Sequence, residues 1–429
     1  MNLIINENKE LNEKNYIYTH ESGLKIIISP KKGFSKTCMM FGTSFGSVVN
    51  RYINENKEEI VLPDGIAHFL EHKLFESEEG DAFTKYAQTG GNANAYTSFN
   101  HTVYYFSCTD KFYDNADILL DLMQTPYFTK ENVEKEQGII GQEINMYLDN
   151  PGWRVFFNML QAMYSKSPVR IDIAGTVESI SHITPELLYD CYNKFYNAET
   201  MCISICGDLD PDKTYNYIKN KLDKIKPPVV ATPVFDDEPK SVYKSYISQN
   251  LDVNIPIFNL GFKDNEINLS GKDMIRKILI GRITLDLLFG KSSSFYNTHY
   301  NSGLINDSFE LEYVCENEFS HSIISGEVNN PEEVKKAILE EISKMIDNIN
   351  IDDFNRQKII AKSSHIRSFN SPENVASANL EAMFNNFDNF DFNNVLDSIT
   401  IKDINNHLKT FTEELSVLSV ILPKENKNE

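Results

Sequence analysis

Apolar residues along this chain recur with two alternating periods. Gly23 to Ser29 and Thr37 to Val49 hold β-branched and aromatic residues between turn residues, the pattern of strands. Pro63-Asp64-Gly65 breaks that run, and a short apolar helix follows with Asp64 as its expected N-cap. A second helix over Ala82 to Gln88 ends at Gly90-Gly91. Asn92 to Ser98 and Thr102 to Cys108 then read as the two arms of a hairpin. Helices are expected at Asn115 to Met123 and Lys130 to Leu148, with more beyond Pro151-Gly-Trp153. An apolar strand at Thr200 to Cys206 runs into Gly207-Asp-Leu-Asp-Pro211 and an amphipathic helix to Ile225.

From Lys226 to Lys240 the proline-rich sequence has neither helical nor strand period and is expected to be a linker. The pattern then repeats at offsets near 220 residues. Val103 to Cys108 with Asn115 to Leu120 resembles Ser322 to Ser325 with Pro331 to Leu339, and Ile139-Ile140 resembles Ile359-Ile360. The final apolar run, Leu415 to Leu422, is the counterpart of Thr200 to Cys206. The expectation is a duplicated α+β fold: an N-terminal domain over 1–225, a linker over 226–240 and a homologous C-terminal domain over 241–429.

Composition narrows the function. The chain has 429 residues and a formal net charge of −21, which leaves nothing to neutralise phosphates and argues against a nucleic-acid partner. Six cysteines lie scattered, mostly in apolar runs and without C-x-x-C spacing, as buried thiols in a reducing compartment do. No stretch approaches 18 uninterrupted apolar residues, the length a membrane span requires. The start of the sequence has neither basic nor apolar leader regions, so the expectation is a soluble, cytoplasmic protein with no membrane association.

The chemistry concentrates in Asp64-Gly-Ile-Ala-His68-Phe-Leu-Glu71-His72. His68 and His72, four apart, lie one above the other on a helix, with Glu71 beside them. This H-x-x-E-H order is the reverse of the H-E-x-x-H zinc signature. A catalytic zinc needs three protein ligands and an open position for water. Glu71 suits the base that takes the water's proton. For the third ligand the spacing leaves two candidates, Glu136 and Glu143, seven apart and on one face of the helix that also carries Glu134. The one left over would support the site from behind. His101 is a weaker rival ligand. The region matching the motif in the second half, near Leu285-Asp-Leu-Leu-Phe289, has no histidine, so one metal site is expected. Asn92 to Ser98 is polar and poor in large side chains, which suits an exposed edge that accepts an extended peptide.

Gly65 to His72, Asn94-Ala95-Tyr96-Thr97-Ser98 with Thr102-Val-Tyr-Tyr105, Glu136-x6-Glu143 and Gly207-Asp-Leu-Asp-Pro211 together resemble the insulinase-like (pitrilysin-type) zinc metallopeptidases. The resemblance implies that His68, His72 and Glu143 bind Zn2+, that Glu71 is the general base and that Glu136 is a carboxylate behind the ligands. It implies that Asn94 to Ser98 hold a peptide substrate, and that two homologous α+β halves, mostly antiparallel sheet flanked by helices, close like a clamshell. In length the chain is similar to a short bacterial branch found as paired subunits and associated with elongation factor P modification.

One departure stands out. Active members offer an arginine and a tyrosine from the second half, in a pattern like Leu-Arg-Glu-x-Gly-Leu-Ala-Tyr. Here the arginine position falls on Tyr300 and the tyrosine position on Asn306. The resemblance therefore implies a partner, a related subunit without the zinc motif (a heterodimer) or a second copy, that supplies those groups. The alternative is a non-catalytic zinc-binding scaffold or peptide-binding subunit.

Overall fold

The computed structural model describes residues 2–424. The fold is α+β, built on two mostly antiparallel sheets. The first has seven strands: β1 (Asn2–Asn8), β2 (Glu13–Thr19), β3 (Lys25–Pro30), β4 (Thr37–Thr43), β5 (Asn92–Thr97), β6 (Thr102–Cys108) and β7 (Met201–Gly207). Their spatial order is β1-β2-β3-β7-β4-β6-β5. The second has β8 (Tyr246–Leu251), β9 (Ile257–Asp264), β10 (Glu310–Cys315), β11 (Ser320–Glu327) and β12 (Ser416–Pro423), in the order β8-β12-β9-β11-β10.

The duplication is visible strand by strand. β7 runs parallel to β3 and antiparallel to β4; β12 runs parallel to β8 and antiparallel to β9. Every residue of β4 and of β7 is buried. Unbroken apolar runs such as these suit a central strand covered on both faces.

The chain divides into two compact units, but not linearly as 1–225 and 241–429. One unit is 1–144, 172–234 and 365–390; the other is 145–171, 235–364 and 391–429. The reason is apolar cover. In the first unit the helix Pro372–Phe384 packs on β7, β4 and β3. Its Val375, Ala376 and Leu380 close a core with Cys38, Met40, Val103, Cys202 and Cys206. In the second unit the helix Pro151–Met163 packs in the same way on β12, β9 and β8. Each sheet is thus covered by a helix from the other half of the sequence.

Three local expectations change. Asp64 does not cap the motif helix Ile66–Leu74; the N-cap is Gly65, at φ 92° with no side-chain bond. Only glycine fits there, because a Cβ would meet the carbonyl oxygen of Ala174 at 2.4 Å. Asp64 is instead tied by its backbone oxygen, which accepts from Ser179 Oγ at 2.8 Å. The expected linker is partly ordered: Ala231–Pro233 pairs antiparallel with Arg51–Asn54. Finally, the hairpin Asn2–Thr19 has no counterpart in the strands expected from the sequence.

Candidate metal centre

The motif helix is short and almost wholly buried on its apolar side through Ile66, Phe69, Leu70 and Leu74. That packing fixes the orientation of the polar residues between them. His68 and His72 lie one above the other along the helix, their ring centroids 4.6 Å apart and their planes tilted by 58°. The acidic helix Lys130–Asp149 brings Glu136 and Glu143 to the same place from one face. Glu143 Oε2 lies 3.6 Å from His72 Nε2 and 3.8 Å from His68 Nε2. One ligand atom each from His68, His72 and Glu143 falls within 4.8 Å of the others, and among the described residues this is the cluster able to hold a metal ion.

Glu136 approaches from the other side of His72. Its Oε1 is 3.0 Å from His72 Nδ1, and its Oε2 is 3.7 Å from the ammonium of Lys73. Lys73 is fully buried and donates to Glu76 Oε2 at 2.5 Å. Burial works against the charge on Glu136, but His72, Lys73 and Lys135 together hold its carboxyl below the usual range. With Nδ1 engaged by the Glu136 carboxylate, Nε2 of His72, on the Glu143 side, is the ring nitrogen left to bind a metal. Glu71 stands beside the cluster; its Oε2 accepts the hydroxyl of Thr97 at 2.6 Å.

The electrostatics follow from burial and neighbouring carboxylates. Burial, with His72 adding to it, pushes the His68 imidazolium down to about 3, so His68 is neutral at any ordinary pH. Burial also opposes charge on His72, yet the bond to Glu136 and the Glu71 and Glu143 carboxylates hold its pKa above the usual value. Glu71 is pushed up, chiefly by burial and in part by Glu143, against the pull of Thr97 and His72.

These residues fit a zinc ion. Two imidazoles and a carboxylate are its ordinary donors at about 2.0–2.2 Å, which puts neighbouring ligand atoms roughly 3.3–3.6 Å apart. The separations of 3.6 and 3.8 Å are close to that.

The other candidates sort themselves. Glu134 is exposed and pairs with Lys130 at 3.7 Å. His101 is outside the cluster; its ring packs against Tyr96 and Phe384, with centroids 5.8 and 5.6 Å away. Asn94 to Thr97 lie on β5, which pairs with β6 on one side and forms the edge of its sheet, and Ser98 opens the turn. Asn94 Oδ1 accepts the N–H of Ala95. Tyr300 ends on Asp307 at 3.4 Å and Asn306 donates to the carbonyl of Glu327 at 2.8 Å. Two participants escaped the sequence reading: Thr97 as the partner of Glu71, and Lys73 behind Glu136. For Lys73 a signal existed, since a lysine on an apolar helix face demands a carboxylate.

Residues 54–177 match the family model described as Insulinase (Peptidase family M16), and residues 182–360 match the Peptidase M16 inactive domain. YmfH of Bacillus subtilis, described as an uncharacterized zinc protease, is 38% identical over 424 residues, 97% of this chain and 98% of that protein. The β subunit of the mitochondrial-processing peptidase of Dictyostelium discoideum is 31% identical over 170 residues, 38% of this chain and 36% of that one. The crystal structure of an M16-like peptidase from Alicyclobacillus acidocaldarius superposes with a TM-score of 0.93 at 32% identity, covering 98% of this chain and all of that one. Pitrilysin superposes at 0.77 and 16% identity, covering this whole chain and 47% of its own, a likeness of fold alone.

Proposed function

Since this chain belongs to the insulinase (M16) peptidase family, we propose that it is a zinc endopeptidase that hydrolyses peptides or unfolded segments. The observation that carries this reading is the convergence of His68, His72 and Glu143 within 4.8 Å, with an unligated carboxylate, Glu71, beside them. A purely structural zinc closes its shell with four protein ligands and needs no neighbouring base.

In the proposed mechanism His68, His72 and Glu143 would hold zinc, which would supply a Lewis acid for the attacking water and the scissile carbonyl. Glu71 takes the proton of the attacking water and delivers it to the departing amine nitrogen. Glu136 orients His72 through Nδ1 and fixes its tautomer. The edge strand β5, from Asn94 to Thr97 with Ser98 at its end, receives the substrate backbone as an added strand, which recognises main chain in place of a particular side chain.

A developing oxyanion needs donors aimed at it, worth a few kcal/mol, or two to three decades of rate. Tyr300 and Asn306 stand where the family offers arginine and tyrosine. We therefore propose that a related subunit supplies them. A relative that is by name a peptidase subunit supports this pairing. We propose further that it belongs to the short paired-subunit branch associated with elongation factor P modification; the match to YmfH over 98% of that protein, against 47% of pitrilysin, supports the short form. The six buried, unpaired cysteines suit the cytoplasm, and no described helix is long and apolar enough to cross a membrane.

The test is peptide hydrolysis by the chain alone and mixed with a related subunit lacking the zinc motif. Glu71→Gln should keep one zinc and lose roughly 10²–10⁴-fold in turnover. Parental turnover by that variant would refute the assigned mechanism, and full activity of the isolated monomer would refute the pairing.

A further inference from the structure

The side chain that holds Glu71 belongs to the last residue of β5. Thr97 donates its hydroxyl to Glu71 Oε2 at 2.6 Å. A threonine hydroxyl carries one proton, so this donation uses all that Thr97 has. Directly opposite, Thr102 is wholly buried and gives its own proton to the carbonyl oxygen of Phe45 at 2.8 Å. The two hydroxyl oxygens lie 3.3 Å apart. Both protons are thus committed, and the pair of β-branched residues across the strands leaves Thr97 little rotameric freedom. A carboxylate that accepts at Oε2 has Oε1 left to receive a proton.

We infer that Thr97 is a positioning residue for the general base: its hydroxyl pins Glu71 Oε2, so that Oε1 receives the water's proton. The inference rests on the proposed role of Glu71. It gives Thr97 a task distinct from the backbone contacts of β5. The strand that holds the substrate also holds the base, so both reacting partners are placed by one rigid element.

The full chain, with its related subunit where turnover requires one, is assayed on an internally quenched fluorogenic peptide. Thr97→Val keeps the shape and removes the proton, whereas Thr97→Ser keeps the proton. The kcat of Thr97→Val should fall about 10- to 100-fold, the scale of a misplaced catalytic group. Its KM, and its zinc affinity by chelator competition, should stay within about 2-fold, and Thr97→Ser should return to within about 3-fold of the parent. A second readout uses the metal-free protein. Thr97→Val should lower the midpoint of thermal unfolding by about 2 °C in the parent and leave Glu71→Ala unchanged, because the bond is already gone there. Unchanged kcat in Thr97→Val, an equal loss in Thr97→Ser, or the same thermal shift in both backgrounds overturns the inference. Loss of turnover in Glu71→Gln with none in Thr97→Val sinks this inference alone; full turnover in Glu71→Gln sinks the base assignment and this inference with it.

Discussion

The two sheets reach the same point by the same route and end it differently. In the first unit β4 stops at Thr43 opposite Thr102, which faces Thr97, and there the two histidines and two carboxylates converge. In the second unit β9 stops at Asp264 opposite Ser320. The helix Gly271–Phe289 brings Lys277 to 2.8 Å from Asp264, Tyr313 donates its hydroxyl to Asp264 at 2.9 Å, and His407 Nδ1 lies 3.7 Å away. Lys277 also reaches Glu266 at 2.6 Å. The second cluster closes on itself, cation against anion. In the first, one ligand atom each from His68, His72 and Glu143 faces a shared point. Polar residues at a sheet end therefore signal a site when several ligand atoms turn toward one point, and a structural staple when a lysine sits between the carboxylates.

Removing one member from each cluster separates the two roles most sharply. His72→Ala should abolish zinc binding, measured as metal per chain, and lower peptide hydrolysis by roughly 10³-fold or more, since several kcal/mol of Lewis-acid stabilisation go with it. Metal-free stability should fall by about 1–3 kcal/mol, because the bond to buried Glu136 goes while Lys73 still faces that carboxylate. Retained stoichiometric zinc would break the assignment of the first cluster.

Lys277→Met should do the reverse. It leaves Asp264 buried without its cation, a loss of about 3–5 kcal/mol in unfolding free energy, while zinc per chain stays at the parental value. Burial costs Asp264 something, yet Lys277 and His407 still hold its carboxyl below the usual range, so the pair is charged and its disruption is felt. A Lys277→Met protein as stable as the parent would show that this cluster is no staple.

Much of this contrast was legible in the sequence, and the illegible parts have definite causes. The motif helix, the hairpin and the face shared by Glu136 and Glu143 follow from periods of 3.6 and 2, which belong to local backbone geometry. The repeat offset gave the matching strands. Which of Glu143 and Glu136 faces both imidazoles could not be read from spacing, because residues seven apart are equivalent until a second helix breaks the symmetry. The hairpin Asn2–Thr19 was invisible because β1 exposes Leu3, Ile4 and Ile5 on an edge and alternates with nothing buried. The exchange of covering helices left no mark either. Pro151–Met163 and Pro372–Phe384 bury apolar faces, but a periodicity says that a face is buried, never against which sheet.

Acid acts on buried histidines of both units: His101 and His365 in the first are pushed down to about 4 by burial, and two in the second behave alike. His321 and His407 are each held down to about 4 by burial, from an ordinary 6.5. A histidine with a depressed folded value is protonated more readily when unfolded, so its contribution to stability is complete above pH 6.5 and drains away as pH falls toward 4. Each is worth up to about 3 kcal/mol on that scale. Thermal unfolding of the metal-free protein should therefore weaken between pH 6.5 and 4, and His407→Gln should flatten that fall. A stability profile flat across this window would contradict the neutral, buried state assigned to both rings.

The smallest effect tests how the first cluster is tuned. Glu136→Gln keeps the length of the side chain and an oxygen able to accept from His72 Nδ1, but removes the charge facing Lys73. Losing such a carboxylate behind a histidine ligand costs typically about 10–100-fold in metal affinity, or roughly 1.4–2.7 kcal/mol. Zinc should still bind at one per chain, so the change is read as affinity by chelator competition, not as stoichiometry. The loss should be far smaller than for His72→Ala, because all three ligand atoms remain. Equal affinity in Glu136→Gln and the parent would mean that His72 is oriented by packing on its helix alone, and that the Glu136–Lys73 pair is a buried staple like the one around Asp264.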